Sequence, residues 1–148
     1  MNEKMKVAEA EVPANGSSSR KKSKRVMLID DNEIDNFVNK KLLMKSEFAG
    51  EIFEKTTAQA ALEYLRTNFN SPEKLPDVIF LDIMMPIMDG FEFLDEYAKL
   101  PDGVKSRIKI IMLSSTESFK DLNRANSNRY VFKFLNKPLT EPVIAAIQ

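Results

Sequence analysis

The sequence predicts an α/β protein in which helices cover both faces of a parallel sheet. From residue 26 onward, five segments with strand character alternate with segments of helical spacing, an order typical of parallel strands joined by crossover helices. Residues 26–29 and 78–81 are continuously apolar rather than alternating, which indicates strands buried on both faces. Both strands run directly into aspartate. We therefore expect a three-layer, doubly wound architecture with polar side chains gathered at the carboxyl end of the sheet.

The first half of this pattern holds two strands and two helices. Strand 26–29 precedes a helix whose apolar positions are spaced as one amphipathic face: Ile34, Phe37, Val38 and Leu42. Gly50 precedes a short strand at residues 52–53, and Thr57 is placed to cap a second helix. The apolar positions of that helix are Ala58, Ala61, Leu62, Leu65 and Phe69. The Asn-Ser-Pro run at residues 70–72 then breaks it.

The second half holds three strands and three helices. The strands are predicted at residues 78–81, 108–113 and 130–135. The helices are predicted at about residues 91–100, with Leu94, Tyr97 and Ala98 buried, at residues 118–125, and after Thr140. Pro142 suits the first turn of the final helix. The run Pro101, Asp102 and Gly103 is predicted to form a turn.

Composition excludes several classes of site. The 148 residues include 22 basic and 22 acidic side chains, so net charge predicts neither a nucleic-acid nor a membrane partner. The absence of cysteine and histidine excludes disulfides, thiolate zinc sites and imidazole catalysis. No segment resembles a transmembrane span or a signal peptide, and we therefore expect a cytoplasmic setting.

The amino-terminal segment has a different character from the rest of the chain. Residues 1–23 have few large apolar side chains and end in a basic cluster. Such a segment cannot bury enough surface to offset its ordering entropy. We expect residues 1–23 to be a disordered basic tail, which is either a solvated leader or a contact for an anionic partner, and residues 24–148 to be one domain.

Three carboxylates are predicted to meet at the carboxyl end of the sheet. Asp30 and Asp31 follow the first strand, and Asp82 follows the third. Adjacent parallel strands would place these groups together, and three like charges require a counter-charge, for which a divalent metal bound by oxygen ligands is suited. Ser114 and Lys137 follow the fourth and fifth strands and fall at the same end.

These residues resemble a known family. Asp30-Asp31, the run from Asp82 to Gly90, Ser114-Ser115 and Lys137-Pro138 are similar to the motifs of the receiver domain of bacterial two-component response regulators. The resemblance covers about residues 25–148. It implies a flavodoxin-like fold, with a five-stranded parallel sheet of strand order 2-1-3-4-5 and five helices.

The resemblance also implies a role for each residue of the acidic site. Asp82 would be the phosphoacceptor, and Asp30, Asp31, Asp82 and the backbone carbonyl of Met84 would hold Mg²⁺ or Mn²⁺. Lys137 would contact the phosphoryl oxygens.

Four further residues have implied supporting roles. Ser114 would be the switch hydroxyl, and Phe134, three residues before Lys137, would be the aromatic side chain that responds to it. Pro138 would fix the backbone that directs Lys137, and Gly90 would be a structural residue near the site.

The implied partners are proteins. The phosphoryl donor would be a phosphohistidine of a histidine kinase or of a histidine phosphotransfer protein, which this histidine-free chain cannot supply. The output would be a contact with an unknown downstream protein through about residues 118–148, with possible homodimerisation on activation. We expect no DNA-binding domain, no membrane partner, and no enzymatic turnover beyond self-catalysed phosphorylation and dephosphorylation.

Other interpretations stay open at this point. The chain could be a degenerate receiver that binds partners without phosphate. An aspartate-based phosphohydrolase is a weaker alternative, because such enzymes need a second acid where Met84 stands. Asp30 and Asp31 could cap the first helix, and Asp89-Gly90 is best explained as a turn and helix start.

Overall fold

A computed structural model of the chain describes residues 24–148, so the predicted tail at residues 1–23 lies outside the described residues. Five parallel strands form one sheet: β1 (Arg25–Ile29), β2 (Glu51–Lys55), β3 (Val78–Asp82), β4 (Lys109–Ser114) and β5 (Val131–Asn136). Their spatial order is β2-β1-β3-β4-β5. The predicted fold class and strand order are confirmed.

Helices connect the strands. The five longer ones are α1 (Glu33–Lys45), α2 (Ala58–Thr67), α3 (Gly90–Tyr97), α4 (Phe119–Ser127) and α5 (Glu141–Ile147). A 3₁₀ turn covers Pro72–Lys74. The predicted turn at Pro101 to Gly103 is instead the start of a one-turn helix, Asp102–Lys105. Within residues 24–148, every helix is too short or too polar to cross a membrane.

The sheet separates two hydrophobic cores. Alternate side chains of β1 and β3 point to opposite faces, so Met27 and Ile79 join one core while Leu28 and Phe80 join the other. The first core includes side chains of α2, α3 and α4, and the second includes Leu43 of α1 with side chains of α5. Burial on both faces explains why these strand sequences are continuously apolar.

Helix α1 buries a different face from the one predicted. Ile34, Phe37 and Val38 are 72%, 59% and 50% exposed. The buried positions of the helix are Asn36, Asn39 and Leu43. The side-chain amide of Asn36 donates to the backbone carbonyl of Asp30 at 2.9 Å. This hydrogen bond turns the Asn36 face of α1 toward the residue that follows β1.

Other helix ends agree with the sequence more closely. Thr57 accepts a hydrogen bond from the backbone of Ala60, and Thr140 caps α5, as predicted. Helix α2 ends at Thr67, however, so Phe69 lies beyond it and is exposed. Ala98 is only half-buried, and α3 ends one residue before it.

Candidate functional site

Three carboxylates lie together at the carboxyl end of the sheet. Asp30 follows β1, Asp82 is the last residue of β3, and these strands are parallel neighbours. Asp30 and Asp82 are only 3% and 4% exposed, whereas Asp31 is exposed. One oxygen from each of the three lies within 4.8 Å of the others. Carboxylate oxygens at this spacing suit a hard divalent cation such as Mg²⁺.

Hydrogen bonds to the backbone hold the loop that contains Asp30 in place. The Asp30 amide donates to the carbonyl of Lys55 at 3.1 Å, and its Oδ1 accepts from the amide of Asn32 at 2.9 Å. The side chain of Asn32 is the cap of α1, because it accepts from the amides of Ile34 and Asp35. The alternative that Asp30 and Asp31 serve as the helix cap is therefore wrong.

Lys137 enters this acidic group from the loop after β5. Its Nζ lies 2.7 Å from Asp30, 3.0 Å from Asp35 and 3.1 Å from Asp82. The Lys137 amide donates to the carbonyl of Ser114 at 2.8 Å, which ties the loop after β5 to the end of β4. The peptide bond between Lys137 and Pro138 is cis.

This group holds more negative than positive charge, and the imbalance influences the pKa values of Asp82 and Lys137. Burial, with the neighbouring charge of Asp30, raises the pKa of Asp82 to about 6 despite the opposing effect of Lys137. Burial alone would lower the pKa of Lys137, but hydrogen bonds to Asp30 and Asp35 and the charge of Asp82 outweigh it and hold that pKa above its ordinary value. Lys137 therefore stays protonated as the local counter-charge.

Asp35 is a residue that the sequence analysis missed. It lies in the first turn of α1, together with the acidic Glu33. Acidic residues are common in a first helical turn because they interact favourably with the helix dipole. An aspartate at this position therefore does not by itself indicate a functional role. Its contact with Lys137 joins residues 102 apart in the sequence, so no local pattern indicated it.

The segment between Asp82 and α3 folds back tightly on itself. A Cβ at Gly90 would lie 2.8 Å from the carbonyl oxygen of Asp82, so only glycine fits this close approach. Asp89 caps α3 reciprocally with Glu92, which confirms the predicted turn and helix start. Ile87 has a φ of 72°, an uncommon and strained conformation for a β-branched residue. Met84, whose carbonyl was the implied metal ligand, has a side chain that is 64% exposed.

Ser114 and Phe134 lie on neighbouring strands beside the acidic group. The Ser114 side chain is buried, and its hydroxyl donates to the carbonyl of Thr116 at 2.7 Å. The side chain of Asn136 donates to the same carbonyl at 2.9 Å. Phe134 is half-buried and lines a cavity of about 290 Å³ together with Phe119 and other side chains of this edge. In this structure the hydroxyl of Ser114 is thus engaged with its own loop.

Solved structures of similar fold are known. A two-component response regulator from Cytophaga hutchinsonii superposes with a TM-score of 0.79 at 28% identity, covering 85% of this chain and 94% of that one. A response regulator receiver protein from Dyadobacter fermentans superposes with a TM-score of 0.76 at 35% identity, covering 84% and 94%.

Sequence relatives come from several kinds of organism. The chemotaxis protein CheY of Halobacterium salinarum is 30% identical over 129 residues, 84% of this chain and 97% of that protein. The chain is 31% identical to the probable methanogenesis regulatory protein FilR2 of Methanothrix harundinacea over 72% of that protein. It spans only 49% of the two-component response regulator ORR1 of rice (Oryza sativa), to which it is also 31% identical. The model of the response regulator receiver domain matches residues 26–147, and the chain belongs to this family of two-component signalling proteins.

Proposed function

We propose that the chain is a phosphorylation-controlled switch in which Asp82 accepts a phosphoryl group from a phosphohistidine donor. Residues 24–148 form its receiver domain. The observation that carries this proposal is the burial of Asp82 beside Lys137, in a group whose negative charge exceeds its positive charge. A buried carboxylate with a strongly raised pKa, next to a specific charged partner, is characteristic of functional sites.

The chemistry is a single displacement at phosphorus. A carboxylate oxygen of Asp82 forms the new P–O bond while the P–N bond of the phosphohistidine breaks. The electron pair of that bond goes to the imidazole nitrogen of the donor, and the product is an acyl phosphate. The carboxylate must be ionised to attack, so acceptance is expected to decline as the pH falls below the pKa of Asp82, which burial raises to about 6 in the absence of a cation.

The donor set fits a divalent cation. Oxygens of Asp30, Asp31 and Asp82 lie close enough to share one ion, and two of the three side chains are buried. We assign the carbonyl of Met84 as a further ligand on the basis of family resemblance. These residues would hold Mg²⁺ or Mn²⁺, which would supply positive charge to neutralise the phosphoryl oxygens during transfer.

Lys137 supplies the positive charge beside Asp82. Its Nζ is already within 3.1 Å of the attacking carboxylate, so a small displacement brings it to the oxygens of a phosphoryl group. We assign to Pro138 the role of holding the backbone that directs this side chain. Gly90 keeps the chain after β3 close to α3 and so supports the position of Asp82.

The switch is proposed to run through Ser114 and Phe134. The phosphoryl group offers acceptor oxygens that compete with the carbonyl of Thr116 for the hydroxyl of Ser114. Movement of the Ser114 loop changes the wall of the cavity that Phe134 lines, and the ring has space to reorient there. Phosphorylation thereby alters the surface formed by α4, β5 and α5.

The proposed partners follow from this scheme. A histidine kinase or a histidine phosphotransfer protein donates the phosphoryl group, and a downstream protein, or a second copy of the chain, reads the altered surface. The activity is that of a switch, with self-catalysed phosphorylation and dephosphorylation only. Met84 lies where a phosphohydrolase needs its second acid, which argues against substrate turnover.

The experiment is a measurement of intact mass after incubation with acetyl phosphate, with Mg²⁺ and with a chelator. One phosphoryl group is expected with Mg²⁺ and none with the chelator. The Asp82→Asn variant, which keeps the size of the side chain, is expected to gain none under either condition. Mg²⁺-dependent labelling of that variant contradicts the assignment of Asp82. Absence of labelling in the unsubstituted chain, with a small donor and with kinase, favours a phosphate-independent binding module.

A further inference from the structure

Asp35 is a partner of Lys137 outside the three-carboxylate group. Its Oδ2 lies 3.0 Å from the Nζ of Lys137, and its side chain is 39% exposed. The group whose oxygens could share a cation consists of Asp30, Asp31 and Asp82 and does not include it. Asp35 is therefore free to hold Lys137 whether or not a cation is bound.

Both side-chain oxygens of Asp30 already accept hydrogen bonds. Oδ1 accepts from the amide of Asn32, and Oδ2 accepts from Lys137 at 2.7 Å. A cation that binds Oδ2 must displace the ammonium group from it, because two cations cannot share this position without strong repulsion. The displaced ammonium needs another carboxylate within reach, and Asp35 is already in contact with it.

We propose that Asp35 is a positioning residue that holds Lys137 when a divalent cation takes Asp30. It keeps the ammonium group paired and beside Asp82, and so reduces the competition between Lys137 and the cation. This inference rests on the proposed function, because it assumes a cation at the three carboxylates. Without Asp35, Lys137 depends on Asp30 and Asp82 alone and opposes cation binding.

The test is a Mg²⁺ titration by calorimetry on single and double variants. Asp35→Asn is compared with Glu33→Gln, which removes the same charge from the same helical turn at an exposed residue. Each substitution is made with Lys137 intact and in a Lys137→Met background. Asp35→Asn is expected to weaken Mg²⁺ binding by roughly three- to tenfold more than Glu33→Gln when Lys137 is present. In the Lys137→Met background the two substitutions are expected to have equal effects, since Asp35 acts through Lys137.

Two further measurements test whether a loss of structure explains the weaker binding of Mg²⁺. Asp35→Glu retains the carboxylate and is expected to restore most of the affinity, whereas loss of a purely structural contact would not be restored. Circular dichroism in chelator checks that each variant is folded, which the partial exposure of Asp35 leads us to expect for its own substitutions.

The possible failures are distinguishable. Equal weakening by Asp35→Asn and Glu33→Gln, or the same effect of Asp35→Asn in both backgrounds, overturns the inference while leaving the proposed function intact. Absence of saturable Mg²⁺ binding by the unsubstituted chain contradicts the proposed function, and the inference with it.

Discussion

The sheet carries a charged cluster at each end, and the two clusters differ in their balance of charge. At the amino end, Arg25 pairs with Glu51 and also donates to the carbonyl of Lys74 and the hydroxyl of Tyr64. Glu51 is the single carboxylate that this guanidinium contacts among the described residues, and its side chain is 54% exposed. The charges of Arg25 and Glu51 match each other, and the pair is partly open to solvent.

At the carboxyl end, one ammonium group faces an excess of acids. Lys137 contacts Asp30, Asp35 and Asp82, and Asp31 lies next to them. Because two of these carboxylates are buried, the imbalance opposes stability, and burial together with the charge of Asp30 raises the pKa of Asp82 to about 6. The comparison teaches that an excess of buried negative charge over its counter-charge distinguishes the carboxyl end from the amino end, and such an excess is characteristic of functional sites.

The largest change in stability is expected when the ammonium group of Lys137 is removed. Among the described residues, it is the only cation in contact with the acidic group. Lys137→Ala leaves Asp30 and Asp82 buried without a counter-charge, and we expect a loss of roughly 3 kcal/mol in the free energy of unfolding at pH 8. The loss should shrink toward pH 5 as Asp82, whose pKa burial raises to about 6, takes up a proton. Urea denaturation in chelator at the two pH values measures it.

The same variant separates phosphoryl acceptance from switching. Lys137→Ala is expected to accept a phosphoryl group slowly, since Asp82 and the metal ligands remain. It is expected to lack the amide chemical-shift changes near Ser114 and Phe134 that accompany phosphorylation of the unsubstituted chain. Normal shift changes in the variant would show that Lys137 has no part in the switch.

Removing a negative charge from the carboxyl end of the sheet should instead raise the free energy of unfolding. The native state holds the Asp82 proton more tightly than the unfolded chain does, with a pKa of about 6 against about 3.9. Between these values the native state binds more protons, so the stability of the unsubstituted chain falls as the pH rises from about 4 to about 6. Asp82→Asn cannot ionise and escapes this loss. We expect it to be more stable by about 2 kcal/mol at pH 8, after allowing for solvent at the mouth of the site.

The pH dependence gives the check on that expectation. Unfolding free energies of both chains are measured in chelator from pH 4 to pH 8. The advantage of Asp82→Asn should shrink to a small fraction near pH 4, where Asp82 is protonated in the native state and about half ionised in the unfolded chain. A constant advantage across the range would mean that packing, rather than ionisation of Asp82, explains it.

A divalent cation should correct the imbalance at the carboxyl end. A cation that binds only the native state stabilises it by about 1.4 kcal/mol at a concentration of ten times its Kd. We expect Mg²⁺ to stabilise the unsubstituted chain at pH 8 by this amount and to stabilise Asp82→Asn less, since a ligand is lost. Thermal unfolding with increasing Mg²⁺ measures both. Equal stabilisation of the two chains would place the cation elsewhere.

The sequence predicted the parts of the site that lie on strand ends and missed those on α1. Asp30 and Asp82 were visible because buried strands run into them, and Lys137 because it follows the predicted fifth strand. The strand order brings those ends together. The contact of Asp35 depends on a lysine 102 residues away in sequence, which local spacing does not reveal.

Helix α1 shows the same limit for the fold. Its apolar spacing predicted the helix correctly but not the face that packs. Asn36 is buried because the carbonyl of Asp30 needs a donor, while Ile34 and Phe37 remain outside. The spacing of apolar residues predicts that a helix is amphipathic. Which face of α1 packs depends on a tertiary hydrogen bond that links the helix to the site.

The smallest effect belongs to the balanced cluster at the amino end. Glu51→Gln removes the charged partner of Arg25, but the guanidinium keeps its bonds to the carbonyl of Lys74 and the hydroxyl of Tyr64. Because the lost pair is exposed, we expect a change of less than about 0.5 kcal/mol in the free energy of unfolding, with no change in Mg²⁺ affinity. Urea denaturation and Mg²⁺ titration of this variant measure both quantities. A loss as large as that of Lys137→Ala would mean that the two clusters carry the fold equally, and the excess of acids would no longer distinguish the carboxyl end.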